Sequence, residues 1–220
     1  MTTENEEFYG HLARRILFVA AATAVYGAVL AVWRSPLMAA YVAAKLPMVF
    51  VGATIVVSFF CWTAGLATGA GLRYREVLEA VFFAMSVTGS ILFAAAPIVL
   101  FFVFSAAPDS GSRETMRLAH ATMLLVHIVV MGSAGTVGVS LLYRSLRRRV
   151  PQDCRLVLMM ALWLMAFAVV GCQLGWIMRP LVGSPDISVE FLRSDAFDSN
   201  FLECLFSQII PHILNGGSIK

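Results

Sequence analysis

The chain has 220 residues, of which 60% are hydrophobic and only 13% are charged, and its net charge is +3. A soluble domain carries about a quarter charged residues, so this composition excludes an ordinary soluble protein and indicates that lipid is its natural solvent. The small positive charge lies mainly between apolar runs, which argues against a nucleic-acid-binding protein.

Five apolar runs are long enough to cross about 30 Å of hydrocarbon as helices. Lipid offers no partner for backbone N–H and C=O groups, and the runs are too long for barrel strands. We therefore predict an all-α polytopic membrane protein, with an N-terminal tail at residues 1–14, a bundle of five transmembrane helices at 15–180 and a C-terminal tail at 181–220. The approximate spans are 16–33, 46–66, 77–105, 118–143 and 156–178.

The first two spans are separated by a short segment, residues 34–45, which we predict to be interfacial and to begin the second helix. Tyr41 and Lys45 are interpreted as interfacial anchors within it. No cleavable small-residue site precedes the first span, so we expect it to be retained as an anchor.

Ionisable residues at membrane depth are the first functional candidates in the third and fourth spans. Glu79 lies about one turn inside the third span and can reach back to Arg75, which predicts an interfacial ion pair, with a proton or ion relay as the alternative. Pro97 is predicted to kink this helix.

His120 and His127 are seven residues apart on the fourth span and share a face. A metal site usually needs closer ligands, such as an i, i+4 pair, so we predict no metal site, and we interpret His127 as either a packing residue or a functional polar group. The small residues of this span, Ala134, Gly138, Thr136 and Ser140, are predicted to face inward.

A dense basic loop follows the fourth span and contains Arg144, Arg147, Arg148 and Arg149. By the positive-inside rule, this loop predicts a cytoplasmic N-terminus and a C-terminal tail on the other side of the membrane. Two interpretations of the loop stay open: a solvated determinant of topology, and a docking surface for the headgroups of anionic lipids.

The fifth span ends in the stretch "CQLGWIMRPLVGSPDISVEFLR". Gln173 and Trp176, three residues apart, are predicted to face the bundle, where the Gln173 amide either bonds a neighbouring helix or lines a substrate path. Pro180 marks the end of the helix at Arg179. Gly183 and Pro185 are predicted to turn the chain back, which would bring Glu190 or Arg193 to Arg179 or Glu203. We interpret the stretch as a helix exit that builds a structured cap on the non-cytoplasmic face.

The remainder of the tail carries apolar residues at helical spacing, which predicts a short amphipathic helix that Pro211 ends. These residues are Phe201, Leu202, Leu205, Phe206, Ile209 and Ile210. The chain contains no GxSxG, HExxH, Walker A or Rossmann pattern, so we predict neither an enzyme nor a bound cofactor.

Three stretches carry a resemblance to a known family: "AAKLPMVFVGATIVVS", "LRYREVLEAVFFAMSVTGSILFAAAPIVLFF" and the fifth-span exit. Together they resemble the bacterial Yip1-like integral membrane proteins, in particular a group that ends in the pattern Gln-x-x-Trp-x-x-Arg-Pro-Phe-x-Gly-x-Pro. The resemblance covers about residues 40–205. The pattern's positions are Gln173, Trp176, Arg179, Pro180, Leu181 (in place of Phe), Gly183 and Pro185.

The resemblance implies a five-helix bundle with no known catalytic residues. Eukaryotic Yip1 relatives bind small GTPases and shape membranes, a role that we do not extend to a bacterial protein. Two functions follow as hypotheses: a non-enzymatic scaffold or partner-binding subunit of a bacterial inner membrane, or a small oligomeric transporter or channel subunit. The expected partners are the lipid bilayer and either another protein or further copies of the chain.

Overall fold

A computed structural model describes residues 2–105, 112–150, 153–183, 188–198, 200–204 and 207. These residues contain helices and no strand, which confirms the predicted all-α class. Five helices are long and apolar enough to cross a membrane, as predicted. In chain order, the helices are α1 Thr2–Ala31, α2 Pro36–Ala67, α3 Tyr74–Ser105, α4 Arg113–Arg147, α5 Asp153–Ile177 and the short α6 Phe201–Cys204.

The starts of the first two helices lie earlier than the starts of the apolar runs. Helix α1 extends back to Thr2. Residues 2–14 contain no proline that would interrupt it, and the acids near its N-terminus complement the helix dipole. Helix α2 begins at Pro36, where the Ser35 side chain accepts a hydrogen bond from the Met38 N–H at 3.0 Å. Residues 36–45 are therefore the first turns of α2, as expected.

The helices bring the basic segments together at one end of the bundle, here called the arginine end. There the Arg15 guanidinium donates to the Glu79 carbonyl oxygen at 3.0 Å, and Arg149 lies 3.4 Å from the Glu76 carboxylate. The turn between α2 and α3 also lies at this end, and Gly69 and Gly71 adopt positive φ angles there. The α1–α2 connection and the end of α5 lie at the opposite end.

Glycines set the closest helix approaches. A Cβ atom on Gly27 would lie 2.9 Å from the Val42 carbonyl oxygen, so α1 and α2 touch backbone to backbone. Gly138 on α4 lies even more tightly against the Thr88 side chain of α3. Helices in lipid gain little from burying apolar surface, so such close approaches supply much of their attraction.

The small residues of α4 divide between two faces. Ala134 and Gly138 are buried, as predicted, but Thr136 and Ser140 are exposed, so the prediction that they face inward is wrong. Their hydroxyls donate to the carbonyl oxygens of Gly132 and Thr136, one turn earlier in the same helix. They need no neighbouring helix for this reason.

Candidate functional site

The exit from α5 folds back over the bundle and forms a cap, defined here as residues 178–183, 188–198 and 200–204. Helix α5 ends at Ile177, next to the boundary expected from Pro180. The Arg179–Pro180 peptide bond is cis, and the Pro180 side chain is buried. From here the chain runs back toward α1 and α2 instead of extending away from the helix bundle.

The first part of the cap packs against the α1–α2 connection. The Trp33 indole N–H donates to the Val182 carbonyl oxygen at 2.9 Å. Gly183 adopts a φ of +80°, and a Cβ there would lie 3.2 Å from the Arg34 side chain, so the position requires glycine on both counts. Pro185, expected in the same turn, lies outside the described residues.

Arg179 joins the end of α5 to the second part of the cap. Its guanidinium lies 3.6 Å from the centre of the Trp176 ring, a cation–π contact, and 3.6 Å from the Asp195 carboxylate. Arg193 donates two hydrogen bonds to the same carboxylate, at 2.8 and 2.6 Å. The carboxylate that joins the two arginines is thus Asp195, and not Glu190 or Glu203 as the sequence suggested.

Gln173 and Trp176 hold the start of α6. The Gln173 side-chain oxygen accepts a hydrogen bond from the Phe201 backbone N–H at 3.0 Å, and the Trp176 ring contacts the Phe201 ring edge-on at 6.3 Å. The amide of Gln173 therefore satisfies a helix N-terminus that has no internal partner. The expected amphipathic helix beyond Cys204 falls mainly on residues outside the described part of the chain.

Lys45, on α2, is the contact to the cap that the sequence did not indicate. It was expected to anchor α2 at the membrane surface, but its side chain is fully buried beneath the cap. The ammonium donates to the Glu190 carbonyl oxygen at 3.2 Å and to the Pro180 carbonyl oxygen at 3.5 Å, and it lies 5.5 Å from the Phe191 ring. A buried ammonium needs such acceptors, so Lys45 binds the returning chain to α2. No local signal marks this role, because its partners lie 135 and 145 residues away.

The two histidines of α4 face α1 and the connection that follows it. The His127 Nδ1 atom lies 3.1 Å from the Tyr26 hydroxyl, within hydrogen-bond distance. One heptad away, the His120 ring lies 6.0 Å from the Trp33 ring. This geometry joins α1 to α4 and favours the packing interpretation of His127.

The arginine end carries the remaining candidates. The Glu79 carboxylate lies 3.9 Å from Arg149, so an interfacial ion pair forms, but with Arg149 and not with Arg75. Arg75 instead lies over the rings of Phe8 and Tyr9 at the start of α1. Arg144 and Arg147 are exposed in the last turn of α4, and Arg148 is exposed directly after it.

In chemical terms, the cap provides hydrogen bonds, one shared carboxylate and aromatic contacts. Within the described part of the chain, no group of three His, Cys, Asp or Glu residues is placed to hold a metal ion. Comparison with known protein families, with curated proteins and with solved structures found no match.

Proposed function

We propose that this integral membrane protein is a non-enzymatic scaffold that presents its cap to a protein partner. The observation that carries the proposal is the Phe197 side chain, which is 73% exposed although the chain on both sides of it is fixed. Asp195, two residues earlier, is bound by two arginines, and Phe201, four residues later, is bound by Gln173. An anchored, exposed aromatic side chain is a typical interface anchor.

The surface around Phe197 is suited to a polypeptide. Leu192 and Leu202 are each 40% exposed on the same cap, and the exposed acids Asp198 and Glu203 lie close to them in the chain. An apolar centre with a polar rim is the usual composition of a protein interface. The cap holds this surface against the bundle, because Lys45, Trp33 and Arg179 all bind it there.

The proposal includes a location. We propose that the arginine end faces the cytoplasm of a bacterial cell and that the cap faces the opposite side of the inner membrane. The density of arginines between α4 and α5 supports this orientation. A reporter fused to the N-terminus should be cytoplasmic, and one fused to the α1–α2 connection should lie on the other side of the membrane. The reverse assignment would overturn the orientation.

The resemblance to the bacterial Yip1-like group is also part of the proposal. Five of the pattern's residues, Gln173, Trp176, Arg179, Pro180 and Gly183, lie at cap contacts, which is the expected outcome if the pattern encodes the cap. A related chain that lacks these residues but keeps the same cap would argue against that link.

The test is site-specific photocrosslinking in intact cells. A photoreactive phenylalanine analogue at position 197 should give a single adduct of defined mass. The same analogue at Phe104, which is also 73% exposed but lies at the end of α3, is the matched control and should give none. Arg179→Ala weakens the closed cap and should reduce the adduct at 197. Equal adducts at both positions, or an adduct that Arg179→Ala does not reduce, would refute the proposed interface.

The transport hypothesis has no comparable observation in its favour. His127 lies against Tyr26, Gln173 binds α6 and Glu79 pairs at the arginine end, so these groups serve three separate contacts. A flux assay in liposomes decides between the two functions. We expect no flux of ions or small solutes, and a flux that His127→Ala or Gln173→Leu reduces would favour a transporter.

A further inference from the structure

A cavity of about 210 Å³ lies between α2, α3, α4 and α5, away from the cap. Its wall includes Cys61, Met85, Gly135, Leu142, Trp163 and Phe167. The hydroxyl of its one Ser or Thr residue, Thr88, donates to the Ala84 carbonyl oxygen at 3.1 Å. Apolar cavities of about 150 Å³ stay dry and bind hydrocarbons, so this cavity selects an apolar occupant over water.

The cavity opens sideways between α4 and α5. Helix α4 packs mainly on α3 and helix α5 mainly on α2, with little contact between α4 and α5 themselves. Leu164 on the wall is 45% exposed, so the crevice reaches the surface that contacts lipid. An occupant can therefore enter from the bilayer without crossing the cap or the arginine end.

The length of the crevice matches one leaflet. Its wall on α4 runs from Met131 to Leu142, which at 1.5 Å per residue is about 17 Å. Half of the hydrocarbon thickness of a bilayer is about 15 Å. The last crevice residue on α4, Leu142, precedes the end of the helix at Arg147, after which the turn carries Arg148 and Arg149.

Positive charge follows the crevice wall out of the membrane. Gly135 and Leu142, seven residues apart, share one face of α4, and the chain then reaches Arg148 and Arg149 in the turn that follows Arg147. Arg149 forms half-exposed ion pairs with Glu76 at 3.4 Å and Glu79 at 3.9 Å, which are long distances for such pairs. Because a guanidinium has five N–H donors, Arg149 can bind a further anion. Arg148 is exposed beside it and makes no ion pair with a described residue.

We propose that the crevice binds an anionic glycerophospholipid from the leaflet at the arginine end. One acyl chain lies between α4 and α5, and the phosphate contacts Arg148 and Arg149. The apolar wall supplies affinity for the chain, and the two arginines supply the preference for a negative headgroup. This site is independent of the cap and of its protein partner.

Two glycines of α4 give a matched pair of variants. A Cβ on Gly135 or on Gly132 would meet nothing within 4 Å, so both positions accept a larger side chain without a backbone clash. Only Gly135 lies on the wall of the crevice. Gly135→Leu should weaken binding of phosphatidylglycerol at least tenfold, because the leucine fills the space for the acyl chain, and Gly132→Leu should leave it unchanged.

A second pair tests the headgroup. Arg148→Ala and Arg149→Ala should each weaken phosphatidylglycerol about fivefold, and should weaken phosphatidylcholine less, because its choline cation offsets the charge of its phosphate. Arg144→Ala is the control, because Arg144 follows Leu142 by two residues and so lies about 200° around the helix. Free oleate, which has the chain but no phosphate, should bind more weakly than phosphatidylglycerol.

Native mass spectrometry of the full chain, titrated with each lipid, measures these affinities. Equal binding by Gly135→Leu and the wild type would refute the crevice. Equal effects of Arg148→Ala, Arg149→Ala and Arg144→Ala would refute the phosphate site, and oleate binding as tightly as phosphatidylglycerol would identify the ligand as a fatty acid instead. If Gly135→Leu does not fold, the fluorescence of Trp163 decides, measured as the difference between the wild type and Trp163→Phe because the chain has four tryptophans. Phosphatidylglycerol with brominated chains should quench it more than brominated phosphatidylcholine, and equal quenching would overturn the proposal.

Discussion

The contact between α1 and α2 provides the most quantitative prediction. In Gly27→Ala the added Cβ would lie 2.9 Å from the Val42 carbonyl oxygen and 3.2 and 3.3 Å from side-chain atoms of Val42 and Leu46. The nearest atom belongs to a helix backbone and cannot rotate away, so the two helices must separate. Overpacking of this kind costs about 1–3 kcal/mol.

The alanine also favours the helix itself, by up to about 1 kcal/mol relative to glycine. Gly132→Ala isolates this gain, because a Cβ at Gly132 on α4 meets nothing within 4 Å. We expect Gly27→Ala to be less stable than the wild type and Gly132→Ala to be at least as stable. The difference between the two variants should be about 1–3 kcal/mol, which is the steric cost alone.

The assay is equilibrium unfolding in mixed micelles, with the denaturing detergent SDS titrated against a mild detergent and helicity followed by circular dichroism. The free energy of unfolding at a common detergent fraction gives the comparison. Gly27→Ala that is as stable as Gly132→Ala would refute the reasoning, because it would mean that α1 and α2 do not touch at this glycine.

Two further predictions concern the cap. Arg179→Ala removes an ion pair and a cation–π contact of about 0.5–1 kcal/mol each. Trypsin at low concentration should therefore cleave after Arg193 about 5–30 times faster than in the wild type, whereas Arg113→Ala should have no effect. Unchanged cleavage in Arg179→Ala would argue against a closed cap. Lys45 is fully buried and should react slowly with amine reagents in the wild type and faster in Arg179→Ala; fast labelling of Lys45 in the wild type would contradict its burial.

Some features of the cap could be expected from local chemistry. Pro180 disfavours helical geometry in the residue before it, so the end of α5 could be placed from the dipeptide alone. Gly183 indicated a turn for the same kind of local reason, and the structure gives it a positive φ angle. These signals depend on one or two neighbouring residues, which a sequence displays directly.

The partners of the charged groups could not be expected in this way. Arg179 had several carboxylates within reach, and only the path of the chain places Asp195 beside it. Glu79 had Arg75 one turn earlier, yet the α4–α5 turn brings Arg149 closer to its carboxylate. Sequence spacing does not identify which carboxylate pairs with which arginine, because alternative surface ion pairs differ little in energy.

The sequence by itself determined the class of protein and its five membrane-spanning helices. Long apolar runs in lipid must satisfy their own backbone hydrogen bonds, and this requirement depends on composition and length and not on neighbours. Only the tertiary structure decided that Lys45 is buried, that Thr136 faces outward and that a crevice separates α4 from α5. Those outcomes depend on which helix faces which, because lysine, threonine and glycine each suit either a surface or an interface until a particular neighbour is present.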